Sequence, residues 1–434
     1  WRAPASPAEC AESAGSLIAH CCAADGGDSP KAGREPVREI QLQTAHPQDP
    51  TMLPGNGPAL VGVAEADRTR YYREWDAILG ALASGETCLL RGDWLHRLHA
   101  GGGTLPRWQD LPPGAAWAPE ELLADAADGA RPTPRIVAVS HGWLSREHPD
   151  PHGVHLDAFV PLLGPYARDH AVGLENLAVF FDWCSLPQRP LTELDEKALT
   201  KALRNIDLWY AHARTDVWLL SALPEGCVPF EERGWTRFEA AAASMVCPGG
   251  GAFDLGRLPA GSKRWADVAE HCRCAREPPR PPDAFAEELE SKSFAVPEDR
   301  KLVADKYWGV FQRAVGCAES LTYQGLGWGD GEARTLAAAL PRCTALRHLD
   351  LRDNELGTVG ALLVAGALEG CRTLERLGLA ANAIGEAGQA ELRSAWARAQ
   401  RPAAGLDLSG QRPPVTSEEA DRQAARRMSG ASLA

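Results

Sequence analysis

The feature that most constrains this chain is a repeat near its C-terminal end. Leu346-Arg-His-Leu349-Asp-Leu351-Arg-Asp-Asn354-Glu-Leu356 returns 28 residues later as Leu374-Glu-Arg-Leu377-Gly-Leu379-Ala-Ala-Asn382-Ala-Ile384. The same offset links Cys343 to Cys371, Leu340 to Leu368 and Leu321 to Leu349. A unit this short cannot bury its apolar face alone, so the region must fold by stacking copies.

The spacing assigns parts to each copy. Leu349 and Leu351 point to one side of a short strand, while His348, Asp350 and Arg352 point to the other. Asn354 and Asn382 are placed to turn their amides onto the backbone of the following turn. Ala- and Leu-rich helices are predicted over Glu332–Leu340, Val359–Glu369 and Glu386–Ala399. Each copy reads L-x-x-L-x-L-x-x-N-x-L/I, which resembles the leucine-rich repeat of the ribonuclease-inhibitor type. A degenerate copy precedes (Leu321, Tyr323, Trp328) and Leu406-Asp-Leu408-Ser starts another. That gives about three to four units, near the minimum for a stable stack. The resemblance implies a protein partner held on the exposed strand face.

At 434 residues the chain is too long for one ordinary core and suggests two or three domains. Its net charge of −13 argues against nonspecific binding to nucleic acid or anionic membrane. The 12 cysteines show no regular framework, which suits a reducing, cytoplasmic setting. No apolar run approaches the ~18–20 residues of a membrane span. The chain begins at Trp1 rather than Met, so it reads as a fragment, and the lack of a targeting signal carries no weight.

Composition divides the chain further. Residues 1–54 are rich in Ala, Gly, Pro and Asp and are expected to be disordered. Residues 55–133 form a helical and extended preamble, with a helix over Ala64–Leu82. Strand and helix then alternate through 134–247. Strands are expected at Arg135–Ser140, Leu177–Phe181 and Asp216–Ser221, and helices at Val154–Leu163, Glu193–Ala213 and Gly234–Met245. Such alternation predicts a doubly wound, mostly parallel α/β sheet, with ligands beyond the C-terminal strand ends, where Ser140, His141, Asp182 and Ser221 fall. Residues 248–300 read as a linker with short helices. Residues 301–409 hold a connecting helix, Lys301–Glu319, and the repeats. The tail 410–434 reads as disordered, with a short helix at Ser417–Met428.

Four motifs mark the α/β region in order: Ser140-His-Gly-Trp143, Phe181-Asp-Trp-Cys-Ser-Leu-Pro-Gln188, Ile206-Asp-Leu-Trp-Tyr-Ala-His-Ala213 and Arg233-Gly-Trp-Thr-Arg-Phe-Glu239. This order resembles the heterokaryon-incompatibility (HET) domain of fungi, a distant relative of Toll/interleukin-receptor (TIR) domains. Ile206 stands where that family has Met, and Trp209 where it has Ile. The loop after the first strand departs from the acidic TIR loop. The resemblance implies a TIR/HET-like fold over about a quarter of the chain. It also implies Glu239 as the catalytic carboxylate of an NAD hydrolase, with NAD as substrate and no required cofactor. His141, Asp182 and Trp235 would line the ligand. Nicotinamide leaves as a neutral group from a cationic bond. A single carboxylate that stabilises the oxocarbenium-like ribose is therefore sufficient chemistry.

The residues alone leave other roles open. Glu239 could be a solvated helix residue paired with Arg233 or Arg237, or a buried residue holding the preceding loop. His141 could orient Asp182. Cys184 reads as a buried structural thiol. His148, His152 and His155 fall on a loop leading into a helix, and His271-Cys272-Arg-Cys274 lacks a second ligand pair, so no metal is expected. Gly101–Gly103 and Gly249–Gly251 lack the Gly-Lys-Ser/Thr ending of a phosphate loop. Two functions remain. One is a signalling or defence-type protein whose α/β module hydrolyses NAD or self-associates. The other is a non-enzymatic interaction scaffold.

Overall fold

The computed structural model describes residues 70–122, 134–246 and 251–413. The expected disorder of 1–54, the start of the Ala64–Leu82 helix and the short helix at 417–428 lie outside the described residues, as does the disorder of the tail beyond 413. Helix α1 (Trp75–Ala83), strand β1 (Leu90–Arg91) and helix α2 (Gly92–Ala100) form the preamble. Next come β2 (Arg135–His141), α3 (Val154–Asp169), β3 (Leu177–Phe180), α4 (Glu193–Arg204), α5 (Ile206–Ala211), β4 (Thr215–Leu220) and α6 (Gly234–Val246). Then follow β5 (Ala252–Asp254), α7 (Trp265–His271), α8 (Pro282–Leu289) and α9 (Asp299–Phe311).

These strands make one sheet in the order β1-β3-β2-β4-β5, parallel except for β1, which pairs antiparallel with β3. The two-residue period of the strands sorts side chains between two cores. Ile136, Ala138, Ala178, Phe180, Val217 and Leu219 face α5, α6 and α9. Val137, Val139, Leu177, Val179, Trp218 and Leu220 face α2, α3 and α7. Strands buried on both faces explain why these runs are continuously apolar. β2 sits between β3 and β4, so its C-terminal end lies where the connections diverge to the two faces, the usual ligand crevice of such sheets. The sequence expectation of a mixed α/β, mostly parallel architecture is met.

Three local differences have physical causes. The helix expected over Glu193–Ala213 breaks at Asn205, whose Oδ1 accepts from the Tyr71 hydroxyl at 3.2 Å. The break turns Asp207 inward, onto the Tyr72 hydroxyl (2.6 Å) and Arg313 (3.2 Å). The segment read as linker supplies β5, so the sheet extends beyond residue 247. The preamble supplies β1 to the opposite edge.

The repeats form a second, four-stranded parallel sheet of β6 (Ser320–Thr322), β7 (His348–Asp350), β8 (Arg376–Gly378) and β9 (Leu406–Asp407). Across the first three strands the register is the sequence offset itself, with Leu321 beside Leu349 and Leu349 beside Leu377; the last pair, Leu377 and Leu406, is one residue longer. Helices α10 (Asp330–Ala339), α11 (Thr358–Ala367) and α12 (Glu386–Arg398) connect the strands. Asn354 Oδ1 accepts from the backbone N–H of Leu326 and Trp328, both at 3.0 Å, and its Nδ2 donates to the carbonyls of Tyr323 and Leu351. Asn382 repeats the pattern against Leu356, Leu351 and Leu379. The amides thus reach back into the preceding copy as well as their own turn. Gln411 takes the next place, accepting from the Ile384 N–H (3.0 Å) and donating to the Leu379 carbonyl (2.8 Å). No helix among the described residues is long and apolar enough to cross a membrane.

Candidate active site

The period of β2 sends its last two residues to opposite faces of the sheet. Ser140 continues the Ile136 and Ala138 face and meets α6; its hydroxyl donates to Glu239 Oε2 at 2.5 Å. His141 continues the Val137 and Val139 face, where its ring stacks on Phe181 (4.1 Å between centroids) and meets His155 on α3 edge-on. Glu239 lies on α6 one turn after Trp235, whose indole N–H donates to Asp299 Oδ2 at 3.0 Å. Trp235, Phe238, Ala242 and Met245 are buried, as the apolar stripe of the helix predicts.

Asp182 opens a single helical turn, Asp182–Ser185, just beyond β3. The Trp183 N–H donates to its Oδ1. The Gln188 amide closes the same turn by donating to the carbonyls of Asp182 and Leu186 at 3.3 and 3.0 Å. That contact accounts for an Asp and a Gln six residues apart. His141 Nε2 lies 3.3 Å from Asp182 Oδ1 yet makes no hydrogen bond.

Two glycines let the motifs close on one another. A Cβ on Gly142 would fall 2.8 Å from the Arg233 guanidinium carbon, so any larger residue there would have to push that side chain from its present place. Arg233 donates to the Val228 carbonyl (3.0 Å) and the Trp143 carbonyl (3.4 Å). A Cβ on Gly234 would collide with the Phe294 ring at 1.9 Å. The segment bearing Phe294 is tied to the start of α6 by two backbone bonds, Gly234 N–H to the Ser293 carbonyl (3.0 Å) and Ser293 N–H to the Glu232 carbonyl (2.7 Å). Ser293, Phe294 and Ala295 form a strap over a cavity of about 40 Å³, lined also by His141, Asp182, Tyr210, Arg233, Trp235 and Glu239. That space holds a few waters. It is well below the roughly 300–1,000 Å³ of a ligand pocket.

Burial dominates the electrostatics. It pushes Glu239 up to about 8; hydrogen bonds from Ser140 and Tyr210 oppose the rise, and the Asp182 charge adds to it. Burial likewise pushes Asp182 up to about 8, against the Trp183 N–H. His141 is driven well below its ordinary range by burial, then by neighbouring His155. At neutral pH the site therefore holds two protonated carboxyl groups, a neutral imidazole and one guanidinium. Displaced titrations gathered around a cavity at strand ends are a mark of functional sites.

All four residues singled out in the sequence, His141, Asp182, Trp235 and Glu239, line this one cavity. Neither arginine proposed as a partner of Glu239 pairs with it. Arg237 turns to Glu288 (2.6 Å) and Glu277 (3.0 Å), while Arg233 rests on carbonyls. No backbone N–H among the described residues reaches the Glu239 carboxylate, which is 7% exposed. Sequence reasoning missed Tyr210, Ser140 as a ligand of the carboxylate, and the strap. Tyr210 was within reach, because it lies four residues after Ile206 on the motif helix. His148 and His155 spend ring nitrogens on the carbonyls of Leu105 and Gly142. Cys184 is buried and donates to the Pro106 carbonyl at 2.9 Å. Comparison with protein-family models and with curated proteins returns no match.

Proposed function

We propose that the α/β module is a TIR/HET-like hydrolase that cleaves the bond between ribose and a cationic nicotinamide-type base, with NAD as the substrate class and Glu239 as the catalytic carboxylate. The observation that carries this reading is the state of Glu239. It is buried at the cavity beside Asp182, held by the hydroxyl groups of Ser140 and Tyr210, with no backbone amide or cation among the described residues to satisfy it. A residue kept for structure would be placed where its charge is compensated.

The chemistry follows from the electrostatics. A bound pyridinium lowers the cost of ionising Glu239, because an opposite charge favours the charged form. As the C1′–N bond breaks, its electron pair leaves with the base, which becomes neutral. The ionised carboxylate stabilises the positive ribose. Water adds to C1′ and gives up its proton to Glu239, which returns to its protonated resting state. The cavity as it stands has room for only a few waters, so a nucleotide-sized substrate needs Ser293–Ala295 to move aside. The repeats, of leucine-rich-repeat type, supply a protein-binding strand face with His348, Arg352 and Arg376, in keeping with a signalling or defence-type role in the cytoplasm.

The small volume of the cavity favours a second reading, in which the module self-associates or serves as a scaffold without turnover. Purified full chain at high concentration, assayed for NAD loss and nicotinamide release, separates the two. The wild type should turn over NAD and Glu239→Ala should not, with both folded. Equal turnover by the two proteins, or none by a folded wild type, refutes the enzymatic reading.

A further inference from the structure

Glu239 meets Ser140 and Tyr210 in the cavity wall. Arg233 lines the same cavity, 7% exposed, with no carboxylate partner among the described residues. Its hydrogen bonds go to two carbonyl oxygens, and the guanidinium has five N–H donors to place. A buried cation without an anion is costly, because desolvation is not repaid by an opposite charge. His141, in the same cavity wall, adds an independent sign. It is buried, and its Nε2 has no hydrogen-bond partner among the described residues; Asp182 Oδ1 lies 3.3 Å away, on a carboxyl that burial keeps protonated at neutral pH. Helix α6 also begins here, with Trp235 and Thr236 of its first turn lining the cavity. The Gly234 N–H is taken by the Ser293 carbonyl, but the positive end of the helix dipole still favours an anion here.

We propose that Arg233 and His141, in the cavity wall, form an anion subsite that takes a phosphate of the substrate. Arg233 supplies charge and a planar fork of donors, the geometry that suits phosphate oxygens. His141 Nε2 supplies a second donor as the appropriate tautomer. The subsite rests on the reading of Glu239 as the carboxylate for a cationic ribosyl bond, and it sharpens the substrate class. The ligand must be dipolar, with the cationic base toward Glu239 and the phosphate toward Arg233. Nucleotides of the nicotinamide type fit; the corresponding nucleoside, lacking phosphate, leaves Arg233 unpaired.

Two measurements on the full chain test it separately from turnover. Isothermal titration with inorganic pyrophosphate should show one site on wild type and on Glu239→Gln. Arg233→Met should bind at least tenfold more weakly, with Arg233→Lys between. Arg233 also supports two loops, so circular dichroism and melting accompany each variant, and Arg233→Lys keeps the charge if the Met variant fails to fold. In turnover, wild type should prefer NAD over nicotinamide riboside by about a hundredfold in kcat/KM; Arg233→Met should erase most of that preference and Arg233→Lys part of it, by slowing NAD alone. Pyrophosphate binding without any NAD turnover would sink the hydrolase and keep the subsite. A folded wild type that binds no pyrophosphate, or an Arg233→Lys variant that binds it as tightly as wild type, overturns the subsite whatever NAD does.

Discussion

Glu239→Gln should stabilise this protein, and the gain should grow with pH. Burial raises the Glu239 carboxyl from its ordinary 4.5 to about 8. Between those values the native state keeps a proton that the unfolded chain has lost. Stability depends on pH through the difference in protons bound, so here it falls as pH rises, by about 1.36 kcal/mol per pH unit. The loss begins near 4.5 and is complete above about 8, reaching on the order of 5 kcal/mol. That is a large share of the ~5–15 kcal/mol that holds a domain together. Glutamine keeps an oxygen to accept from Ser140 and Tyr210 but carries no charge. Its amide N–H₂ will cost something, and that cost is the same at every pH. Urea unfolding of wild type and variant at half-unit steps from pH 5 to 9 therefore reads the slope rather than the offset. The gap should open by about 3 kcal/mol between pH 5 and 7.5 and then flatten above 8. Parallel curves would show that Glu239 ionises as an ordinary surface carboxylate, and the argument for a retained, costly catalytic group would fail.

Other consequences follow from the same geometry. If Glu239 acts ionised, kcat/KM for NAD should rise about tenfold per pH unit below about 8 and level above it; a flat profile from pH 6 to 9 refutes that role. Gly234→Ala places a methyl group against the Phe294 ring and should lift the strap, seen as faster tryptic cleavage after Lys292; unchanged cleavage would show that the strap is held elsewhere. Asn354→Ala removes the partners of the Leu326 and Trp328 N–H and the Tyr323 carbonyl and should cost about 3–4 kcal/mol in urea melts. A loss below about 1 kcal/mol would mean that water replaces the side chain.

Much of this was legible in the sequence, for reasons that can be named. The 28-residue offset became the strand register from β6 to β8, because one repeat stacks on the next by the same contacts, and only the last pair, β8 with β9, takes one residue more. The apolar runs of β2, β3 and β4 identified themselves because both of their faces are buried. What escaped was set by tertiary contact. Ala252–Asp254 is a three-residue strand between Gly-rich and charged segments, too short to carry a period, and only the open edge of β4 makes it one. Leu90–Arg91 is shorter still. The strap carries no pattern because its place is fixed by the missing Cβ of Gly234, sixty residues earlier in the chain. Glu239 was legible as a candidate through its motif, but its burial depends on Ser140, which only the sheet brings near.

The two halves of the molecule share one interior. The apolar cluster on the α6 face of the sheet runs from Phe180 and Trp209 through Phe238, Tyr307 and Phe311 to Leu321, Leu349 and Leu377 without a break. Arg276 bridges the same junction, donating to the carbonyls of Ser244 and Met245 at the end of α6 and of Thr322 on β6. Asp299, which accepts a hydrogen bond from the Trp235 indole N–H, begins the helix that leads into the repeats. The helix that carries Glu239 is thus braced at its start by α9 and at its end by the first repeat strand. Protein interiors are close-packed, so neither brace can shift without moving the side chains between them. The repeats are accordingly part of the support of the site as well as a surface beside it, and a cut between α9 and β6 would expose the core against which α6 rests.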